Sequence, residues 1–322
     1  MLAAAALVLA GCSGGDGSPS GGGAPSAAGA SSSAGPAGVE PAPSGPPSPT
    51  PAVTPGLGAA CPVPQAERCM TLMVSGDLLV HPQLWDQARS DAAAAGIPGL
   101  DFTPLLEGQR RYIQAADAAV CHMETPVAEA EGPFAGYPMF NVPPQILAAA
   151  ANVGFDGCTT ASNHTVDAGT AGLKRTLSTL DVLGLEHTGS YSAEEQAGQP
   201  MLLETGSGTV GVVQATYGLN GLTAEYPWQV DMLDPADMIE RARAARTQGA
   251  DVVVASIHAG DEYASAPNLQ QIDTAHALAD SGESTSSTGT IRTRSCPSST
   301  TTGPGSSTAW ATRSPSSRPG TT

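Results

Sequence analysis

Short apolar runs separated by helical patterns fill the middle of this 322-residue chain. Four of the runs, at 72–74, 118–120, 210–213 and 252–257, predict buried strands, because each is bounded by polar residues and is too short for a helix. Between and after them lie helical patterns at about 143–154, 169–184, 235–249 and 267–282. The alternation of strands and helices indicates an α/β architecture.

The helical patterns carry recognisable start and stop signals. Asp234 stands where a helix N-cap is expected, Pro235 follows at the first helical position, and Gly249 lies beyond the end of that helix. Gly154 and Gly184 close two of the other helices in the same way. These signals fix the helix positions better than the apolar periodicity alone.

The chain begins with an apolar run that ends in Leu9-Ala10-Gly11-Cys12. This pattern resembles a bacterial lipoprotein signal with its lipobox, although no basic residue precedes the run. The resemblance implies that residues 1–12 are the signal segment, that Cys12 is lipidated, and that the mature protein is extracytoplasmic and anchored to the bacterial cell membrane. The alternative is a frayed apolar N-terminus with a chance cysteine.

Residues 13–60 consist almost entirely of Gly, Ser, Pro and Ala, with only Asp16 and Glu40 charged. Such a segment cannot bury enough apolar area to offset its ordering entropy, so we expect a disordered linker. An extracytoplasmic location permits disulfides. Cys61 could then pair with Cys69, and Cys121 with Cys158 if their strands are neighbours.

Acidic residues are concentrated in the segment 61–282, which carries nine basic and 27 acidic side chains out of a chain with a formal net charge of −17. This balance argues against a surface for nucleic acid. After the first dozen residues, no apolar stretch approaches the length of a membrane span. We therefore expect one acidic domain that reaches the membrane only through its lipid anchor.

Polar side chains follow the strands at the points where the strands end. Asp77 follows the first run, Glu124 the second, Asn163 and His164 a later segment, and His258 the last run. Ligands of α/β sheets gather at the carboxyl ends of strands, so these groups can converge. Carboxylate, amide and imidazole ligands suit one or two divalent ions such as Mn, Fe or Zn. For each residue, a turn or surface role is the alternative.

Several stretches together resemble the CapA-type capsule (poly-γ-glutamate) biosynthesis family, which is related to the calcineurin-like metallophosphoesterases. The matching stretches are Ser75–His81, Ala116–Pro126, Gly154–Asp167, Gly184–Gly189 and Asp251–Tyr263. The resemblance covers about 70–282 and implies a four-layered α/β sandwich. The family usually carries Asn-Leu-Glu where this chain has His122-Met123-Glu124, which leaves the role of His122 open.

Carried over by position, the resemblance implies that Asp77, Glu124, Asn163, His164 and His258 hold metal, and that Asp77, His164 and His258 are catalytic. It implies a metal-dependent hydrolase-like factor acting on a cell-envelope polymer such as poly-γ-glutamate. A non-catalytic, polymer-binding envelope lipoprotein is the alternative. An acidic domain would repel a polyanion unless metal offsets its charge.

The composition changes after Gly282: residues 283–322 are rich in Ser and Thr, and we expect them to be disordered and to supply no buried strand. The family instead has a strand ending in Gly-His-x-Pro-His at this point. Residues Thr288–Thr293 can be written as a DNA sequence which, when translated from two bases further on, encodes Gly-His-His-Pro-His. We therefore hypothesise a gained or lost base near the codons for 280–284. The domain at 61–282 would then be incomplete and the chain inactive as written, and whether it retains metal is left open.

Overall fold

The computed structural model describes residues 2–7, 68–262, 264, 266–284, 286–290 and 309–310. The linker at 13–60, the lipobox cysteine Cys12 and most of the C-terminal tail lie outside this part of the chain. The predictions for them, including the disorder of the linker and the lipid anchor, stay predictions. In the described part, no helix has the length and apolar character that a membrane crossing requires.

Two five-stranded sheets form the centre of the molecule. The first is parallel and runs in chain order through β1 (Leu2–Leu7), β2 (Arg68–Asp77), β3 (Ala118–His122), β4 (Gly157–Thr159) and β5 (Glu186–Thr188). The second has the spatial order β10-β9-β8-β7-β6 and contains β6 (Met201–Thr205), β7 (Gly208–Thr216), β8 (Val252–His258), β9 (Ser286–Thr290) and β10 (Ala309–Trp310). Its central strands β7, β8 and β9 are parallel, whereas β6 and β10 pair antiparallel to their neighbours.

Within the described residues, six α-helices cover the outer faces of the two sheets: α1 (Pro82–Ala95), α2 (Thr103–Ile113), α3 (Gln145–Val153), α4 (Gly169–Leu183), α5 (Pro235–Thr247) and α6 (Leu269–Ser281). The predicted caps are confirmed where they can be checked. Asp234 accepts hydrogen bonds from the backbone N–H groups of Ala236 and Asp237 at the start of α5. Gly154 and Gly184 end α3 and α4 with positive φ angles of 108° and 70°.

Three apolar clusters define the layers. One packs α1 to α4 against one face of the first sheet, for example Leu147 and Leu177 against Met73. A second fills the space between the sheets, where Leu72 and Val120 belong to the same cluster as residues of β6, β7 and β8. The third packs α5 and α6 against the outer face of the second sheet. The order helix, sheet, sheet, helix confirms the predicted four-layered α/β sandwich.

Both ends of the described chain contain a strand. Leu2–Leu7 pairs as β1 with β2, and the prediction that residues 1–12 are a signal segment stays a prediction. Ser286–Thr290, for which no strand was predicted, pairs in parallel with β8. An unpaired strand edge offers backbone N–H and C=O groups to any extended segment, whatever its side chains. Composition reports on side-chain burial and not on backbone pairing, so β9 was not predicted.

Candidate metal centre

Three of the strands end in a side chain that faces the same point. Asp77 is the last residue of β2, His122 the last of β3 and His258 the last of β8. Asp77 and His122 are register partners beyond an irregularity in the β2–β3 ladder, so the first sheet brings these two together. His258 comes from the second sheet. The site therefore lies where the carboxyl ends of the two sheets meet, as predicted for an α/β fold.

The ligand atoms of Asp77, His122 and His258 all lie within 4.8 Å of one another. Asp77 Oδ1 is 3.9 Å from His122 Nε2 and 4.0 Å from His258 Nδ1. These separations are too long for direct hydrogen bonds but leave room for one ion or one oxygen atom between the groups. Both imidazoles are almost fully buried, with 1% of each histidine exposed.

Two further predicted residues lie on the other side of His258. Asn163 Oδ1 is 2.7 Å from His258 Nε2, and Glu124 Oε1 is 3.9 Å from the same nitrogen. When Nε2–H donates to Asn163, the Nδ1 of His258 is left with a lone pair facing Asp77. Asn163 and Glu124 are also buried. The structure thus brings together four of the five predicted ligands, namely Asp77, Glu124, Asn163 and His258.

His164 follows Asn163 in the chain but makes different contacts. Its Nδ1 lies 2.6 Å from Asp167 Oδ2, and its ring meets Phe140 edge to face at 4.8 Å between centroids. A carboxylate on one imidazole nitrogen is the arrangement that orients the other nitrogen of a metal-binding histidine. A metal or catalytic role for His164 stays a prediction, now with Asp167 as the group that orients it.

His122 is the site residue whose role the sequence left open. Burial lowers the pKa of its imidazole to about 4, and a hydrogen bond with the backbone of Thr159 only partly opposes this shift. The ring is therefore neutral at physiological pH. The signal in the sequence was its position at the end of an apolar run, but a histidine there is equally common as packing. Its proximity to Asp77 depends on the register of two strands far apart in the chain.

The other histidines lie elsewhere. His81 meets Phe140 edge to face and is itself exposed. His187 pairs with Asp181 of α4, with 3.1 Å between Nε2 and Oδ1. His276 lies within α6. None of them belongs to the cluster of Asp77, His122 and His258 found among the described residues.

The residues of this centre fit a divalent metal. Carboxylate oxygen, amide oxygen and imidazole nitrogen are the donors that Mn, Fe and Zn share. Two buried polar atoms, His122 Nε2 and Asn163 Nδ2, find no hydrogen-bond partner within the described part of the chain. Buried polar atoms normally have partners, so this gap also points to a ligand at the centre.

A disulfide lies directly beneath the centre. Cys121 and Cys158 are register partners on β3 and β4, and they are bonded, as the sequence analysis allowed. The next residues along the two strands, His122 and Thr159, are in hydrogen-bond contact at 2.9 Å. Cys69 is also disulfide-bonded. Its predicted partner, Cys61, lies outside the described residues.

Residues 71–284 match the family described as bacterial capsule synthesis protein PGA_cap. This chain belongs to that family. The match confirms the resemblance to CapA-type capsule biosynthesis proteins over nearly the range that carried it. It ends at 284, at the point where the Ser/Thr-rich composition begins.

Among solved structures, the chain is similar to the NAD nucleotidase (NadN) of Haemophilus influenzae, with 16% identity, a TM-score of 0.29, and coverage of 40% of this chain and 25% of that one. It is also similar to the sulfate thiohydrolase SoxB of Thermus thermophilus in complex with glycerol, with 14% identity, a TM-score of 0.28, and coverage of 55% and 29%. The chain thus spans less than a third of either protein. No curated protein matches it.

Proposed function

We propose that this protein is a cell-envelope member of the capsule synthesis family whose intact form, in the restored reading frame, is a metal-dependent hydrolase. The observation that carries the proposal is the meeting of Asp77, His122 and His258 at one point, with Glu124 and Asn163 beside them. These donors come from both sheets, and their side chains are almost completely buried.

Asp77 and the Nδ1 of His258 would hold one ion, and Glu124 and Asn163, on the Nε2 side of the His258 ring, would contribute to a second. We propose Mn, Fe or Zn. Such an ion lowers the pKa of bound water and polarises a phosphoryl or acyl oxygen. The protein's own contribution is positional. Asn163 orients His258 by accepting from its Nε2–H, and the burial of both residues excludes bulk water from the centre.

The C-terminal strand β9 bears on whether the site is complete. Thr290, its last residue, is the register partner of His258. The Gly-His-His-Pro-His of the alternate reading frame would begin within β9 and continue from this place. We therefore propose that the chain as written holds an ion without efficient turnover, and that the restored frame supplies the missing histidines.

The buried disulfide supports an extracytoplasmic location. Cys121 and Cys158 are bonded within the sheet, and such disulfides persist in oxidising compartments. Together with the lipobox ending at Cys12, this favours a protein anchored to the outer face of the cell membrane by lipid. We propose a cell-envelope polymer such as poly-γ-glutamate as its partner.

A second candidate is a non-catalytic lipoprotein that binds the same polymer. The near-complete burial of the metal-binding groups favours it, because a polymer would have to open the site to reach the ion. The two candidate functions predict different results for one variant, Asp77→Ala. Asp77→Ala should leave polymer binding largely intact in the non-catalytic protein, whereas it should abolish turnover in the hydrolase.

The deciding experiment compares the chain as written with the chain in the restored reading frame. Bound Mn, Fe and Zn are measured by mass spectrometry, and hydrolysis of a generic phosphodiester is followed with added Mn²⁺. Asp77→Asn tests the site, and Asp181→Asn, whose side chain is 68% exposed, is the matched control. We expect metal in both chains and turnover only in the restored one. If neither chain binds metal in a manner that depends on Asp77, the proposal is wrong.

A further inference from the structure

One side chain of the second sheet reaches across to the metal centre of the first. Gln214 lies on β7 and is fully buried. Its Oε1 accepts from the backbone N–H of Ala161 at 2.7 Å, and its Nε2 donates to the C=O of Ala161 at 2.9 Å. The same Nε2 lies 3.0 Å from His122 Nδ1. Gln214 therefore connects a backbone segment of the first sheet with an imidazole of the site.

The two contacts with Ala161 fix which way the Gln214 amide points. A backbone N–H can only donate and a backbone C=O can only accept, so exchanging the amide oxygen and nitrogen would break both bonds. The amide nitrogen therefore faces His122. One of its hydrogens goes to Ala161, and the other is directed at His122 Nδ1.

This donor determines the tautomer of His122. Because the Gln214 amide donates to Nδ1, that nitrogen must offer a lone pair, and the ring carries its proton on Nε2. In the opposite tautomer, Nδ1–H could donate to Thr159 Oγ1 at 2.9 Å, but it would face the Gln214 N–H across 3.0 Å. Two hydrogens would then meet. The tautomer with the proton on Nε2 avoids this conflict.

A metal ligand needs a lone pair at the atom that faces the ion. His258 presents one at Nδ1, whereas His122 presents an N–H at Nε2, although both atoms lie about 4 Å from Asp77 Oδ1. We infer that His122 is an N–H donor to an anionic oxygen of the substrate, held beside the ion, and not a metal ligand. Gln214 is the positioning residue that imposes this state. The inference rests on the proposed function.

The backbone at residue 189 leaves space for the side-chain amide of Gln214. Gly189 has a φ of 103°, and a Cβ at this position would lie 2.3 Å from Gln214 Oε1. Only glycine leaves space for the amide between residue 189 and Ala161. The contact that sets the tautomer is thus built into the loop that follows β5.

The first test is a ¹⁵N NMR spectrum of histidine-labelled protein, full chain, without metal and then with Zn²⁺ as a diamagnetic probe. We expect His122 to show a protonated Nε2 and an unprotonated Nδ1, and to keep this pattern when zinc binds, while His258 shifts. A protonated Nδ1 before zinc is added, or a large zinc-dependent shift of His122 Nε2, overturns the inference. The assignment uses His122→Asn to identify the signals.

The second test separates metal binding from anion binding by calorimetry with Zn²⁺ and then with inorganic phosphate. We expect His122→Ala to keep its zinc affinity within about threefold and to lose at least about tenfold in phosphate affinity, the effect of one hydrogen bond to a charged group. His122→Asn, which retains an N–H donor, should recover part of the phosphate affinity. Asp77→Asn should lose zinc.

The outcomes distinguish the two proposals. If His122→Ala loses zinc as severely as Asp77→Asn does, His122 is a ligand and the inference is wrong while the proposed function stands. If the wild-type chain binds no zinc, the proposed function fails. In that case the spectrum of the metal-free protein still decides the tautomer that Gln214 imposes.

Discussion

Replacement of Gly189 by alanine perturbs the metal centre from outside it. Gly189 lies just after β5 with a φ of 103°, a conformation that side-chain-bearing residues rarely adopt. The added Cβ would lie 2.3 Å from Gln214 Oε1 and 2.8 Å from the nitrogen of Ala161. Both contacts are shorter than real Cβ contacts, and the Ala161 contact is with backbone. Gln214 must therefore move away from Ala161.

The expected cost has two parts. Holding alanine at this φ costs about 1–3 kcal/mol. Leaving the buried Ala161 N–H or the Gln214 amide without a partner costs about 1–3 kcal/mol per group. With one such group the sum is about 2–6 kcal/mol, a large fraction of the 5–15 kcal/mol by which domains are usually stable. We therefore expect a severely destabilised protein whose His122 has lost its amide donor.

Urea unfolding measures this loss. The matched control is Gly108→Ala on the exposed side of α2, where an added Cβ meets nothing within 4 Å. Alanine is the better helix former there, so the control should gain about 0.5–1 kcal/mol. A loss of less than about 1 kcal/mol for Gly189→Ala would refute the close packing of Gln214 against residue 189.

Three further predictions concern other parts of the molecule. Replacing both Cys121 and Cys158 by serine opens a 37-residue loop and should lower the free energy of unfolding by about 4 kcal/mol; equal urea midpoints would contradict this. Desolvation opposes ionisation of Asp117, but hydrogen bonds from Thr71 and Ser207 outweigh it and lower its pKa below 3.8. The stabilisation is therefore complete above about pH 4 and lost as the pH falls through the folded-state pKa, so Asp117→Asn should destabilise at neutral pH, with the difference vanishing in strong acid. Zinc at 100 times its dissociation constant should raise the unfolding free energy by about 2.7 kcal/mol in the wild type and by much less in Asp77→Asn, measured as a thermal shift that a chelator reverses.

The strands and helices with sharp local signals were predictable from the sequence. The runs that became β2, β3, β7 and β8 are apolar and end in polar residues, and α5 begins at a proline with an aspartate cap. α1 and α2 were not predicted from the sequence. Only the small side chains Ala88 and Ala92 of α1 are buried, so this helix shows no strong apolar stripe. α2 does have an apolar side, with Leu106 and Ile113 buried two turns apart, and it was overlooked.

Only those site residues that directly follow a predicted strand could be predicted from the sequence. Asp77, Glu124 and His258 each follow an apolar run, which marks them locally. Gln214 follows one too, but its role depends on Ala161, 53 residues away, and on Gly189 having no side chain. No periodicity encodes such a contact. The role of His122 depends in turn on Gln214, so it could not be inferred without the fold.

His258 is the one proposed ion-holding residue that the second sheet contributes among the described residues, the others coming from the first sheet and its loops. An ion held by both would be a reversible cross-link, closing a loop of more than a hundred residues between β2 and β8. Cross-links of this kind restrict the unfolded chain as a disulfide does. A cross-link through an ion also makes the relative motion of the two sheets depend on the concentration of that metal ion. The supply of metal would then set the rigidity of the sandwich as well as its chemistry, and amide exchange along β8 would report whether the ion is bound.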